Sequence, residues 1–273
     1  MPTRKRILPS QGQTASVRRD RWTILVSLST LVLLSWLYLW IDIGQMDMMS
    51  TPADTMGSSA MAGEMVAGPW QPESLLLTFL MWAVMMVGMM LPSAMPAILL
   101  YGRLARKRET NSPLPAVWLF SAGYLTVWSL FSLAATLLQA TFESERLLSP
   151  MLTSTSIWLS AALLILAGLY QWLPLKNACL DKCRSPLALF LMHWRPGGQG
   201  AFHMGAEHGL YCVGCCWALM LLLFVAGVMN LLWVAVIAGF VLIEKLLPRG
   251  RLFSHAAGIG LVLVGASLLI AGF

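Results

Sequence analysis

Apolar residues fall into seven stretches of spanning length, at 22–43 and approximately 75–101, 115–140, 153–174, 207–228, 230–247 and 255–272, with polar or charged segments between them. About 20 apolar residues in a helix cross a bilayer, with a range of about 17–25, so each stretch predicts a transmembrane helix. The stretches 207–228 and 230–247 are parted only by a turn at 227–230. Together they cover about 40 residues, too long for one crossing at about 1.5 Å per residue. A shorter apolar run, "SPLALFLMHW", starts with Ser185 as a cap and Pro186 at the first helical position; it predicts an interfacial helix in the loop after the fourth span. The expected fold is an all-α, polytopic integral membrane protein with about seven transmembrane helices.

The charged positions orient this arrangement. With the N-terminus in the cytoplasm, the inner loops carry Arg103, Arg106, Lys107 and Arg108, then Lys176, Lys182, Arg184 and Arg195, then Lys245, Arg249 and Arg251. The outer loops carry Arg146, which directly follows Glu145 and lies three residues after Glu143. That asymmetry is the positive-inside pattern. The first stretch follows a basic tail and is longer than the apolar region of a cleavable signal, so it reads as an uncleaved signal anchor. The expected organisation is a basic cytoplasmic tail at 1–21 and a single membrane domain at 22–273. That domain includes an outer loop at 44–73 and an inner loop at 175–206.

Composition agrees and narrows the function. The chain is 58% hydrophobic and 11% charged, against roughly a quarter charged in soluble domains. Its formal net charge of +6 comes from basic residues that flank apolar runs, which argues against nucleic acid as a partner and for the lipid bilayer. Five cysteines are an odd number and cluster between Cys179 and Cys216, a pattern of metal or redox chemistry rather than of a disulfide framework.

Treated as a helix, 204–222 places Met204, His208, Cys212 and Cys215 on one narrow stripe with Cys216 at its edge. Imidazole and thiolate are ligands of zinc and Cu(I), and thioether adds preference for the softer Cu(I). Taken singly, buried cysteines serve as small apolar side chains; the concentration at one helix end is what favours a site. Cys179 and Cys183 in "ACLDKC" add an i, i+4 pair on the same predicted side. His193 and His203 share that loop as further candidate ligands or transfer stations. Glu244, near the inner end of its helix, is the candidate second-layer group, accepting from His208 or neutralising a cation. Lys245 beside it reads as an interfacial anchor.

Two methionine patterns extend the picture. The outer segment "DIGQMDMMSTPADTMGSSAMAGEM" carries Met46, Met48, Met49, Met56, Met61 and Met65, thioethers suited to capturing copper. In "MWAVMMVGMMLPSAMPAILLY", Met81, Met85 and Met89 recur at i, i+4 as a possible path, although methionine in a membrane helix is more often filler. Pro92 and Pro96 remove backbone donors one turn apart and free carbonyls there.

Three separated segments, "MWAVMMVGMMLPSAMPAILLY", "AGLYQWLPLKNACLDKCRSPL" and "HGLYCVGCCWALMLLLFVAGVMNLLWVAVIAGFVLIEKLLP", resemble a bacterial family of predicted metal-binding integral membrane proteins, sometimes described as copper chaperones. The resemblance runs from about Ser74 to Pro248. It implies a metal-binding protein of the bacterial cytoplasmic membrane, with Cys179, Cys183, His208, Cys212, Cys215, Cys216 and Glu244 at signature positions and no established catalytic residue.

The leading expectation is therefore a membrane protein that binds Cu(I), with zinc as runner-up, and relays or delivers it to a copper-accepting protein. Two other classes compete. Cys212-Val-Gly-Cys215 is a C-x-x-C element that fits a membrane oxidoreductase or a metalloenzyme. Close-packing Gly and Ala residues fit an assembly factor for another membrane complex. No catalytic triad or phosphate-binding loop is recognisable.

Overall fold

The computed structural model describes residues 11–50, 72–108, 112–149, 152–247 and 250–271. They form ten α-helices: α1 (Gln11–Ser50), α2 (Pro72–Arg108), α3 (Leu114–Ser144), α4 (Ile157–Tyr170), α5 (Pro174–Arg184), α6 (Pro186–Met192), α7 (Gly197–Met220), α8 (Leu223–Ala226), α9 (Leu231–Leu246) and α10 (Gly250–Ala271). Among the described residues the remaining regular feature is an isolated bridge between Leu148 and Ser154. The all-α expectation holds.

Of the expected seven crossings, the helices support five or six by length and composition. Among the described residues, five helical segments are long and apolar enough to cross, at 16–42, 72–108, 114–144, 197–226 and 250–271. A sixth arises if α4 and α5, bent by 64° at their junction, count as one span. Helix α9 has 16 residues, about 24 Å at 1.5 Å per residue, short of a hydrocarbon core of about 30 Å. It is bounded by the turn at Gly227, which adopts a positive φ of 95°, and by Asn230, whose side chain caps the helix by accepting from the Trp233 amide at 3.4 Å.

Two further boundaries move. The stretch expected as a loop at 175–206 is helical over most of its length, as α5, α6 and the first turns of α7. Likewise α1 continues to Ser50, through the start of the expected outer loop, so Met46, Met48 and Met49 lie on its last turns. Met56, Met61 and Met65 lie outside the described residues.

Helix α7 is the centre of the fold, packed most extensively against α3 and also against α5; α4 pairs with α10, and α1 with α2. The α3–α7 approach explains why the glycine-rich segment preceding His208 is helix rather than loop. A Cβ at Gly205 would overlap the Phe120 carbonyl, and one at Gly123 would overlap the Phe202 carbonyl. Small residues on both faces let two backbones meet, as membrane helices commonly do.

Proline shapes α2 in a similar accountable way. Pro92 lacks the N–H that would bond the carbonyl of Gly88, four residues earlier. The indole of Trp36 on α1 donates to that carbonyl instead, at 3.3 Å. Arg106 ties the same two helices at their other end through an ion pair with Asp20 and a 3.2 Å bond to Ser16. The short helix α6 is present where expected and has Pro186 in its first turn, but Ser185 makes no side-chain capping bond. Its anchor is Phe190, fully buried edge-on to Tyr101 and Phe120, with ring centroids 5.9 and 5.6 Å apart.

Candidate metal centre

Helix α7 delivers His208, Cys212, Cys215 and Cys216 to the protein interior, all buried. Helix α5 lies alongside and brings its i, i+4 pair. Cys179 packs against Gly214, where a Cβ would come within 2.8 Å of its sulfur. Cys183 reaches further, to 4.0 Å from the sulfur of Cys215. Gly214 is thus what allows α5 to sit this close, and at the same residue the hydroxyl of Tyr170, the last residue of α4, donates to the Gly214 carbonyl.

The cysteines of α7 are locally organised. The thiols of Cys215 and Cys216 both donate to the carbonyl of Cys212, at 3.1 and 2.9 Å. Cys216 also points at the thioether of Met90 on α2, sulfur to sulfur 3.9 Å. Cys212 is held from two sides. The hydroxyl of Tyr124 lies 3.1 Å from its sulfur while also bonding the Met90 carbonyl at 3.2 Å. The ammonium of Lys245 donates to the same sulfur at 2.9 Å and to Ser93 at 3.1 Å. Four thiols and one thioether from α2, α5 and α7 therefore gather together, Cys212, Cys215, Cys216 and Met90 buried and Cys183 half-buried at the edge. All five cysteines are free thiols.

The arrangement departs from expectation at several residues. Lys245 is not an interfacial anchor: it is buried and forms part of the sulfur cluster. The methionine that reaches the cluster is Met90; Met81, Met85 and Met89 are buried in the same helix. Glu244 does not bond His208. It pairs with Lys176, and both side chains are 0% exposed. Lys176 also donates to Ser254 at 2.6 Å and to Gln171, and Ser254 donates to Gln171 at 2.7 Å. His208 sits among Phe120, Tyr124 and Phe190 at ring separations of 6.1, 6.0 and 6.3 Å, and its Nδ1 has no hydrogen-bond partner. His193 and His203 are exposed and stand apart from the sulfurs.

Lysine 245 was hidden in the sequence because it adjoins Glu244 at a helix end, where either charge reads as interfacial. In the fold the neighbours face opposite ways, Glu244 to α5 and α10 and Lys245 to α2 and α7.

Among the described residues, no group of three or more His, Cys, Asp or Glu side chains is arranged to hold a metal ion as placed. Two sulfur pairs nonetheless come into contact. Two sulfurs each about 2.3 Å from a shared ion stand at most about 4.6 Å apart, and the Cys183–Cys215 and Cys216–Met90 pairs, at 4.0 and 3.9 Å, lie inside that limit. Thiolate and thioether donors suit soft ions.

Fold and site together define a multi-helix protein, with spans long and apolar enough for a membrane, built around a buried sulfur-rich centre. Residues 79–268, more than half of the chain, match the family model described as PpoB2, copper chaperone. The chain belongs to that family. No curated protein and no solved structure matches it.

Proposed function

We propose that the protein binds Cu(I) at the sulfur cluster and hands it to an accepting protein. The observation that carries this reading is the convergence of Cys212, Cys215, Cys216 and Met90 in the buried interior with the half-buried Cys183 at their edge. Copper is cargo here, so the ligands need exchangeable positions rather than a closed shell. Cys179 is the next sulfur along α5, and His208 one turn before Cys212 supplies an imidazole with an uncommitted nitrogen. The cluster holds the ion, the outer methionines Met46, Met48, Met49, Met56, Met61 and Met65 collect it, and Met81, Met85 and Met89 lie between as the path. The supporting architecture is seven crossings of a bacterial cytoplasmic membrane with the N-terminus inside, α9 completing its crossing with flanking residues and α6 lying at the inner interface.

Purified protein loaded with Cu(I) and challenged with a Cu(I) chelator tests the assignment. Wild type retains stoichiometric copper, and the Cys212→Ser, Cys215→Ser double variant loses at least tenfold in affinity, because sulfur donors are what hold the soft ion. Equal retention by the two proteins overturns the reading. Zinc competition in the same assay ranks the two metals. Thiol–disulfide exchange is the second reading, favoured by the close approach of Cys183 and Cys215. Its signature is the loss of two free thiols with no copper bound.

A further inference from the structure

We infer that Lys245 makes the sulfur centre selective for the charge of its cargo, favouring a monovalent soft cation over an equally soft divalent one. This rests on the copper-binding reading above and assigns it a specificity-determining residue.

The geometry carries the argument. Lys245 is buried and its ammonium lies 2.9 Å from the sulfur of Cys212. Its other partner is the hydroxyl of Ser93 at 3.1 Å. The acidic neighbour in sequence, Glu244, is directed to Lys176 instead. The positive charge of Lys245 therefore faces sulfur, and any cation coordinated by Cys212 or its neighbours sits within a few ångströms of it.

Repulsion between this ammonium and a bound ion scales with the ion's charge, whereas attraction to the sulfurs depends on softness as well. A divalent ion meets twice the repulsion that a monovalent ion meets. At the short separations and modest effective dielectric of a protein site, the difference corresponds to well over tenfold in relative affinity. Lys245 also compensates the negative charge of a copper–thiolate complex formed at the buried Cys212, which lowers the cost of burying that complex.

Space for adjustment is present. An open cleft of about 400 Å³, lined by Asp181, Arg184, Ser185, Lys245 and Leu246, reaches this lysine from outside the cluster. Arg184 in the same lining adds positive charge and reinforces the bias, while Asp181 is engaged by Arg251.

Silver(I) and cadmium(II) separate charge from softness, because both are soft ions and they differ in charge. Competitive binding of Ag(I) and Cd(II) is measured on detergent-purified wild type, Lys245→Gln and Lys245→Arg, with size-exclusion profile and thermal unfolding recorded for each. The expected result is that Lys245→Gln shifts the Ag(I)-to-Cd(II) affinity ratio toward cadmium by at least tenfold, while Lys245→Arg keeps the ratio near that of wild type. An unchanged ratio in a folded Lys245→Gln protein overturns the inference, as does an equal loss of both ions, which would make Lys245 a packing residue only. If Lys245→Gln does not fold, the comparison rests on Lys245→Arg and on Ser93→Ala, which frees the ammonium toward the sulfur and is expected to strengthen the preference for silver; a weaker preference in Ser93→Ala overturns the inference. Failure of wild type to bind either ion defeats the copper-binding reading itself and is a different outcome from any of these.

Discussion

Lys176 and Glu244 show how strongly individual residues are constrained here. Both are removed from solvent, and each is the other's charge partner. Removing one member of a buried pair leaves an uncompensated charge and costs about 3–5 kcal/mol, whereas replacing both by apolar residues of similar volume is often neutral. Lys176→Met should therefore lower stability by about 3–5 kcal/mol, and Lys176→Met combined with Glu244→Met should recover most of it. Thermal unfolding of the two variants and of Glu244→Met in detergent closes the cycle; additive losses would show that the pair is not coupled. The residues at 244 and 245 also mark a limit of pattern reading. Adjacent opposite charges at a helix end look alike in sequence, and the partners that separate their roles, Lys176 for one and Cys212 for the other, come from elements distant along the chain.

At the scale of the helix, the α3–α7 contact positions the whole cysteine stripe. Gly123 and Gly205 bring the backbones together, and each is occupied by the partner helix where a Cβ would stand. Overpacking a fitted interface costs typically about 1–3 kcal/mol. Gly205→Ala should destabilise the protein by at least that much, since backbone rather than a flexible side chain blocks the added carbon. It should also push α7 away from Tyr124, so copper retention falls together with the midpoint of unfolding. Gly239, which has no atom within 4 Å of its Cβ position, provides the comparison: Gly239→Ala should leave both measurements within error or raise stability slightly, because alanine is about 1 kcal/mol better than glycine inside a helix. A Gly205→Ala protein as stable as wild type would refute the close-packing account of α7.

For the molecule as a whole, the number of crossings decides on which side of the membrane the end of the chain lies. Seven crossings place the two ends of the chain on opposite sides, whereas six place them on the same side. Single cysteines introduced at Val17, Ser58, Lys107 and Phe273 on a cysteine-free background, labelled from each side, distinguish these cases. The seven-span arrangement predicts that Val17 and Lys107 react from inside and that Ser58 and Phe273 react from outside. Reaction of Phe273 from inside would remove the seventh span. The division of labour between outer methionines and inner thiols has its own test. Replacing Met46, Met48, Met49, Met56, Met61 and Met65 by leucine keeps size and apolarity, and should reduce cell-associated copper when external copper is scarce while leaving Cu(I) binding by purified protein nearly unchanged. Loss of purified-state binding would move the principal site to the outer segment.

The apolar stretches, the helical class and the alignment of His208, Cys212, Cys215 and Cys216 on one buried face of α7 are consequences of local pattern. Periodicity and length depend on residues that are neighbours along the chain, so the sequence alone determines them. What only the tertiary structure decided is the company those residues keep. Met90 rather than Met89 meets Cys216, Lys245 turns inward to Cys212, Glu244 is taken by Lys176, and a glycine-rich segment becomes the core helix because α3 has a matching glycine. Each of these depends on which helices approach and how closely. Helix approach is set by small-residue faces and by polar groups that must find partners away from water, and both conditions join residues far apart in the chain.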